Sequence, residues 1–133
     1  MGLRKATAMR TRVLIADDNA FVRTALYEFF DREPDFQVCA LAENGQEAIE
    51  AASRLHPDLI VLDRSMPVMS GPDAARVLRG VVPEAVLIMY CATPEECSEA
   101  VLKSLGISAI VSKSESASVL IDTCRSLLYG KAA

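Results

Sequence analysis

The apolar residues of this chain gather into short unbroken runs, and the stretches between them carry helical spacing. Val13-Leu14-Ile15-Ala16 runs into Asp17-Asp18, and Leu59-Ile60-Val61-Leu62 runs into Asp63 before a Met-Pro/Gly-Pro loop. Ala85 to Cys91 is a third run of the same kind. Apolar runs of this length, ended by turn residues, are strands buried on both faces. Phe36 to Ala42 reads as a short edge strand, and Ser108 to Ser112 as a last strand meeting Lys113.

Between the strands the period changes to that of helices. From Ala20 to about Arg32 the apolar positions are Val22, Ala25, Leu26 and Phe29; Phe21 falls off that stripe, either as a partner contact or as a partly buried start. Asn44-Gly45-Gln46-Glu47 has the cap-plus-Glu pattern of a helix start, followed by Ala48, Ile49, Ala52 and Leu55 on one face. A shorter helix follows Gly71-Pro72 to about Arg79, with Ala74, Val77 and Leu78 inward. Thr93-Pro94-Glu95-Glu96 opens a fourth helix that Gly106 ends. The fifth, about Glu115 to Tyr129, presents Ala117, Leu120, Ile121, Cys124 and Leu128. Strands alternating with helices call for an α/β fold, a single doubly wound five-stranded parallel sheet with helices on both faces. One domain is expected over residues 12–129, with a polar, basic arm at 1–11 and a short tail at 130–133.

Composition narrows the partners. Of the 133 residues 51% are apolar and 24% charged, ordinary for a globular chain with a full core. The net charge of −4 gives no basic face for nucleic acid. No apolar run approaches the roughly 20 residues of a membrane helix. The basic start lacks the apolar stretch of a secretory signal, and Ala6 stands where myristoylation wants Ser or Thr. A cytoplasmic location is expected. The four cysteines, Cys39, Cys91, Cys97 and Cys124, form no C-x-x-C pair and are expected as reduced, buried thiols. His56 is the single histidine; beside Pro57 it is a loop residue rather than a phosphoryl carrier, and no zinc spacing exists.

Candidate chemistry sits at the strand ends. In the order 2-1-3-4-5 the first and third strands are neighbours at the topological switch point, where ligands bind in such sheets. Asp17, Asp18 and Asp63 then meet, and like-charge repulsion among them calls for a cation. Oxygen ligands with open positions suit Mg2+. With Lys113, that cation would stabilise a phosphoryl group on Asp63, a carboxylate being a competent covalent nucleophile. Capping and solvated-turn roles explain each acid singly but not the set.

These residues carry a family resemblance. Asp17-Asp18 after the first strand, Asp63-x-x-Met66-Pro67-x-Met69-x-Gly71 and Lys113 after the fifth resemble the flavodoxin-like receiver domain of two-component response regulators. The likeness covers about Arg12 to Leu128 and is greatest to receivers of LuxR/NarL-type transcription regulators. It implies that Asp63 accepts a phosphoryl group from a sensor histidine kinase or phosphotransfer protein. Asp18, Asp63 and the Ser65 backbone carbonyl would hold Mg2+, with Asp17 acting through water and Lys113 pairing with the phosphoryl oxygen. The first helix would dock the kinase. The fourth helix, fifth strand and fifth helix would form the signalling face, including that of a homodimer. Catalysis beyond self-phosphorylation and autodephosphorylation is not expected.

Four positions depart from the family pattern, among them Ser114, which follows Lys113 where many receivers have Pro. Cys91 stands at the usual Ser/Thr switch position, and a thiol is a weaker donor than a hydroxyl. Ile110 replaces an aromatic residue that changes rotamer, and Arg64 replaces an aliphatic residue after the phosphoacceptor. Cys91 and Ile110 are the best support for the alternative, a pseudo-receiver acting as a constitutive interaction module with altered switch residues. A phosphohydrolase would want a second carboxylate where Ser65 stands, and the acidic turn after the first strand disfavours a flavin phosphate.

Overall fold

The structure, a computed structural model, describes residues 10–130. Five parallel strands lie in the order β2-β1-β3-β4-β5. They are β1 (Thr11–Ala16), β2 (Phe36–Ala42), β3 (Leu59–Asp63), β4 (Val86–Cys91) and β5 (Ile107–Ser112). The helices are α1 (Ala20–Asp31), α2 (Gly45–Leu55), α3 (Gly71–Val81), α4 (Glu99–Ser104) and α5 (Ala117–Tyr129). The expected fold is the observed one.

Both sheet faces are covered, and the strand period of two divides the core accordingly. Val13, Ile15, Leu59 and Val61 face Leu26 and Phe30 of α1 and Leu120 and Cys124 of α5. Leu14, Ala16, Ile60 and Leu62 face the alanine-rich α2 and α3. That double burial is why β1 from Val13 to Ala16 and β3 from Leu59 to Leu62 are wholly apolar.

Several local expectations shift. On α1 the buried residues are Leu26 and Phe30, whereas Phe29 is 40% exposed under the Arg32 guanidinium. Phe30 is held inward by an edge-to-face contact with Phe36, ring centroids 5.1 Å apart. Phe21 is 89% exposed, which settles it as a surface residue. Thr93-Pro94-Glu95-Glu96 does not open an α-helix. Pro94–Glu96 forms one 3-10 turn, and Cys97 in extended geometry breaks it off. α4 starts afresh behind Ser98, whose hydroxyl accepts from Val101 N–H. α5 likewise begins at Ala117, two residues later than expected. Thr11, expected in the arm, opens β1 and donates its N–H to Asp35 O at 2.8 Å. Residues 1–9 of that arm and 131–133 of the tail lie outside the described residues.

The sheet end opposite the acidic loops is closed by a polar clamp. Arg125 of α5 donates Nε and Nη2 to the Asp35 carboxylate at 3.0 and 2.8 Å and Nη2 to Glu33 at 2.5 Å. Tyr129 adds its hydroxyl to Asp35 at 3.1 Å. The Arg125 hydrogen bonds hold the Asp35 carboxyl below its usual range, against a smaller opposing effect of burial. A depressed folded-state pKa stabilises above the unfolded value of 3.8 and loses that stabilisation as pH falls through the folded value. Arg125→Ala should therefore cost about 1 kcal/mol at pH 7. The cost should shrink once Asp35 is protonated, as urea denaturation at neutral and acid pH would show. An equal cost at both pH values would assign the effect to Arg125 packing on Phe36, 5.6 Å from its ring centroid.

Candidate functional site

The site is assembled by the chain leaving three strands at the same end of the sheet. After Ala16, the Asp17 N–H still pairs with Ala42 O of β2 at 3.0 Å, which fixes the residue's backbone. Its Oδ1 accepts the Asn19 N–H at 2.9 Å, and Asn19 in turn caps α1 by accepting from Phe21 and Val22. Arg23 donates to the Asp17 carbonyl at 2.8 Å. Asp17 is buried and Asp18, one residue on, is exposed.

Asp63 is the last residue of β3, paired across the ladder with Tyr90 of β4. It is 6% exposed. The loop after it folds back on itself, with Gly71 N–H donating to Arg64 O at 2.9 Å and Gly45 N–H to Met69 O at 3.0 Å. At the loop's apex Val68 is exposed with φ at +68°, and Met69 N–H closes a γ-turn on Pro67 O at 2.6 Å. Asp18, Arg64, Ser65, Met66, Pro67, Ser70 and Pro72 line an open cavity of about 640 Å3 beside this loop.

Lys113 follows β5, its N–H donating to Cys91 O at 2.8 Å. Its Nζ stands 2.8 Å from Asp17 Oδ2 and 3.2 Å from Asp63 Oδ1. Carboxylate oxygens of Asp17, Asp18 and Asp63 all lie within 4.8 Å of one another. Four expected site residues are thus brought together, and Ser65 lines the adjoining cavity. Cys91 ends β4 beside them, but its sulfur faces Cys97.

The family model described as the response regulator receiver domain matches residues 13–125. The chain belongs to the response regulator receiver family. The receiver is 41% identical over 104 residues to a protein-glutamate methylesterase/protein-glutamine glutaminase of Pyrococcus abyssi, covering 78% of this chain and 28% of that protein. A second relative of that name, from Methanosarcina acetivorans, is 39% identical over 107 residues, covering 79% and 30%. The receiver thus spans less than a third of the length of these curated relatives. Among solved structures, the response regulator domain of Thermotoga maritima CheB superposes with a TM-score of 0.83 at 28% identity, covering 92% of this chain and 99% of that one. The signal receiver domain of a NarL regulator from Mycobacterium tuberculosis shares the fold, with a TM-score of 0.83 at 20% identity, covering 93% and 100%. The narrower expectation of a transcription regulator gains no support from methylesterase relatives.

The receiver's electrostatics show what the acids lack. Burial and the neighbouring Asp17 push the Asp63 carboxyl up to about 6, with Lys113 only partly offsetting them. For Lys113, burial disfavours the charge, but hydrogen bonding to Asp17 and the attraction of both acids raise its pKa overall. Asp17 Oδ2 is buried, with the Lys113 ammonium 2.8 Å away as its ion-pair partner. Three carboxylates against one ammonium leave a negative excess. A hard divalent cation fits this donor set, which is all oxygen, partly open to solvent and short of positive charge.

Other contacts at the site have no motif to announce them. Arg23 and the Tyr90 ring, 5.9 Å from Lys113 Nζ, are visible in sequence only as a helix residue and a strand residue. Arg64 faces Glu96 of the β4–α4 loop at 3.4 Å, a long-range pair. Among the cysteines, Cys91 and Cys124 are buried as expected, whereas Cys39 and Cys97 are half-buried.

Proposed function

We propose that this receiver accepts a phosphoryl group on Asp63 from the phosphohistidine of a sensor kinase or phosphotransfer protein. The observation that carries this reading is Lys113 Nζ lying between Asp17 and Asp63 while oxygens of all three carboxylates lie within 4.8 Å of one another and Asp18 lines an open cavity. An Asp63 carboxylate oxygen attacks phosphorus, the N–P bond to the donor imidazole breaks, and that nitrogen takes up a proton. Lys113 neutralises charge on the carboxylate and then on the phosphoryl oxygens. Asp18, Asp63 and the Ser65 carbonyl would hold Mg2+, with Asp17 engaging it through water; bound there, Mg2+ supplies charge neutralisation and orients phosphoryl oxygens. Asp17 also fixes the ammonium, and Arg23 fixes Asp17.

The signalling face in this reading is α4, β5 and α5. Leu102, Ile107 and Ile110 line a cavity of about 240 Å3 there, suited to a second copy or to a joined domain. The methylesterase relatives favour a joined domain, so the receiver would then govern an enzyme without being one. The intact acidic cluster favours phosphorylation over a constitutive pseudo-receiver, and a cytoplasmic donor follows from the same reading.

Incubation with acetyl phosphate and Mg2+ should add one phosphoryl group labile to hydroxylamine and alkali, as an acyl phosphate is, mapped to the Asp63 peptide by mass spectrometry. Chelation should abolish the uptake. No modification at any donor concentration would overturn the proposal.

A further inference from the structure

Two thiols meet where β4 runs into the β4–α4 loop. Cys91 ends β4, Cys97 follows the 3-10 turn, and their Sγ atoms are 3.5 Å apart. Closing to the disulfide length of about 2.05 Å needs a contraction of roughly 1.5 Å. The moving partner has freedom to supply it. Cys97 is half-buried in extended geometry between a 3-10 turn and α4, packed against the edge of the core with its sulfur 4.0 Å from Thr93 O. Cys124, by contrast, is fixed in the core, and Cys39 lies on β2 at the far edge of the sheet.

We propose that Cys91 and Cys97 form a reversible disulfide, with a hydroperoxide as oxidant. Cys97, the more exposed thiol, gives up its proton and its sulfur attacks a peroxide oxygen. The O–O bond breaks, Cys97 becomes a sulfenic acid, and the other oxygen leaves with the proton as water or alcohol. Cys91 then attacks Cys97 Sγ; the S–S bond forms and hydroxide departs, taking the Cys91 proton as water. Two electrons pass from the two sulfurs to the peroxide. The order follows from access, and burial together with the Cys97 contact holds the Cys91 thiol up at about 12, a poor first nucleophile.

The bond would close at the rim of the acidic cluster. It would tie down residues 92–96, including Glu96, which pairs with Arg64 next to Asp63. The Cys91 carbonyl also accepts the Lys113 N–H. Disulfide formation is independent of the phosphoacceptor reading; its consequence, a loop unable to rearrange when Asp63 is modified, rests on it.

The reduced chain is treated with hydrogen peroxide, alkylated, and cut with a glutamate-specific protease after Glu95 or Glu96. The expected products are a mass lower by two hydrogens and a Cys91–Cys97 linked peptide, both reversed by dithiothreitol and absent in Cys97→Ser. Inertness to peroxide would overturn the proposal, as would Cys97 sulfinic acid beside a free Cys91, or cross-links between chains through Cys39. Amide spectra with Mg2+ and beryllofluoride then separate the two ideas. The oxidised chain should keep shifts around Asp63 and lose those in α4. Were the reduced chain itself unshifted, the phosphoacceptor reading would fail while the disulfide stood.

Discussion

Asp63→Asn should take up no phosphoryl group from acetyl phosphate and Mg2+, and in chelator it should be more stable than the parent chain. The first effect follows from chemistry, since an amide oxygen cannot replace the carboxylate nucleophile. The second follows from the charge the site carries. The Asp63 pKa rises from 3.8 in the unfolded chain to about 6 in the fold because of burial and Asp17. A raised carboxyl pKa means that the fold binds the proton more tightly than the unfolded chain does. Stability from this group is therefore present below pH 3.8 and lost as pH climbs to about 6. Asparagine has no charge to lose it through. The variant's advantage should grow over that window and level off at about 1–2 kcal/mol, discounted for solvent screening at the open mouth. Thermal denaturation in chelator at several pH values measures it. A variant that still labels ends the assignment of Asp63, and one that is less stable above pH 6 ends the account of its repulsion.

Gly71→Ala should be the most damaging conservative change near the site. A Cβ there would stand 2.3 Å from the Asp63 carbonyl oxygen and 3.1 Å from Arg64 Cα, both backbone atoms held by β3 and its turn. Nothing flexible is available to give way, so either the end of β3 or the start of α3 must move. About 3 kcal/mol is expected, a large share of the roughly 5–15 kcal/mol that holds a domain together. Gly80 is the control within the same helix, because a Cβ there meets nothing within 4 Å. Gly80→Ala should stabilise by about 0.5–1 kcal/mol. Urea denaturation of both variants decides the matter. If the two changes proved equal, steric closure at Gly71 would not be what shapes the loop.

What the sequence made legible was whatever a strand end carries. Asp17, Asp63 and Lys113 each follow an apolar run, and strand order alone is enough to bring those ends together. Contacts decided in three dimensions were not legible in the same way. Phe29 and Phe30 fit a helical stripe about equally well, and the choice of Phe30 depends on Phe36 lying against it. Thr93-Pro94-Glu95-Glu96 has the composition of a helix start, yet the helix waits for Ser98, because Cys97 leaves helical geometry between them. The spacing of Cys91 and Cys97 has no meaning until that turn folds one over the other. Arg64 and Glu96 are far apart in the chain, and nothing local pairs them.

The clamp on Arg125 and Tyr129 gives α5 a mechanical character. Its last turns are pinned to Asp35 at one end of the sheet, while Ala117 at its first turn lies beside Lys113 at the other. A helix anchored at its far end can tilt but cannot slide. Any displacement delivered near Lys113 would be turned into a swing about Arg125, widest at the near end of α5 and smallest at the clamp. The thirteen residues of α5 thus form a lever whose fulcrum is the ion pair least involved in the chemistry.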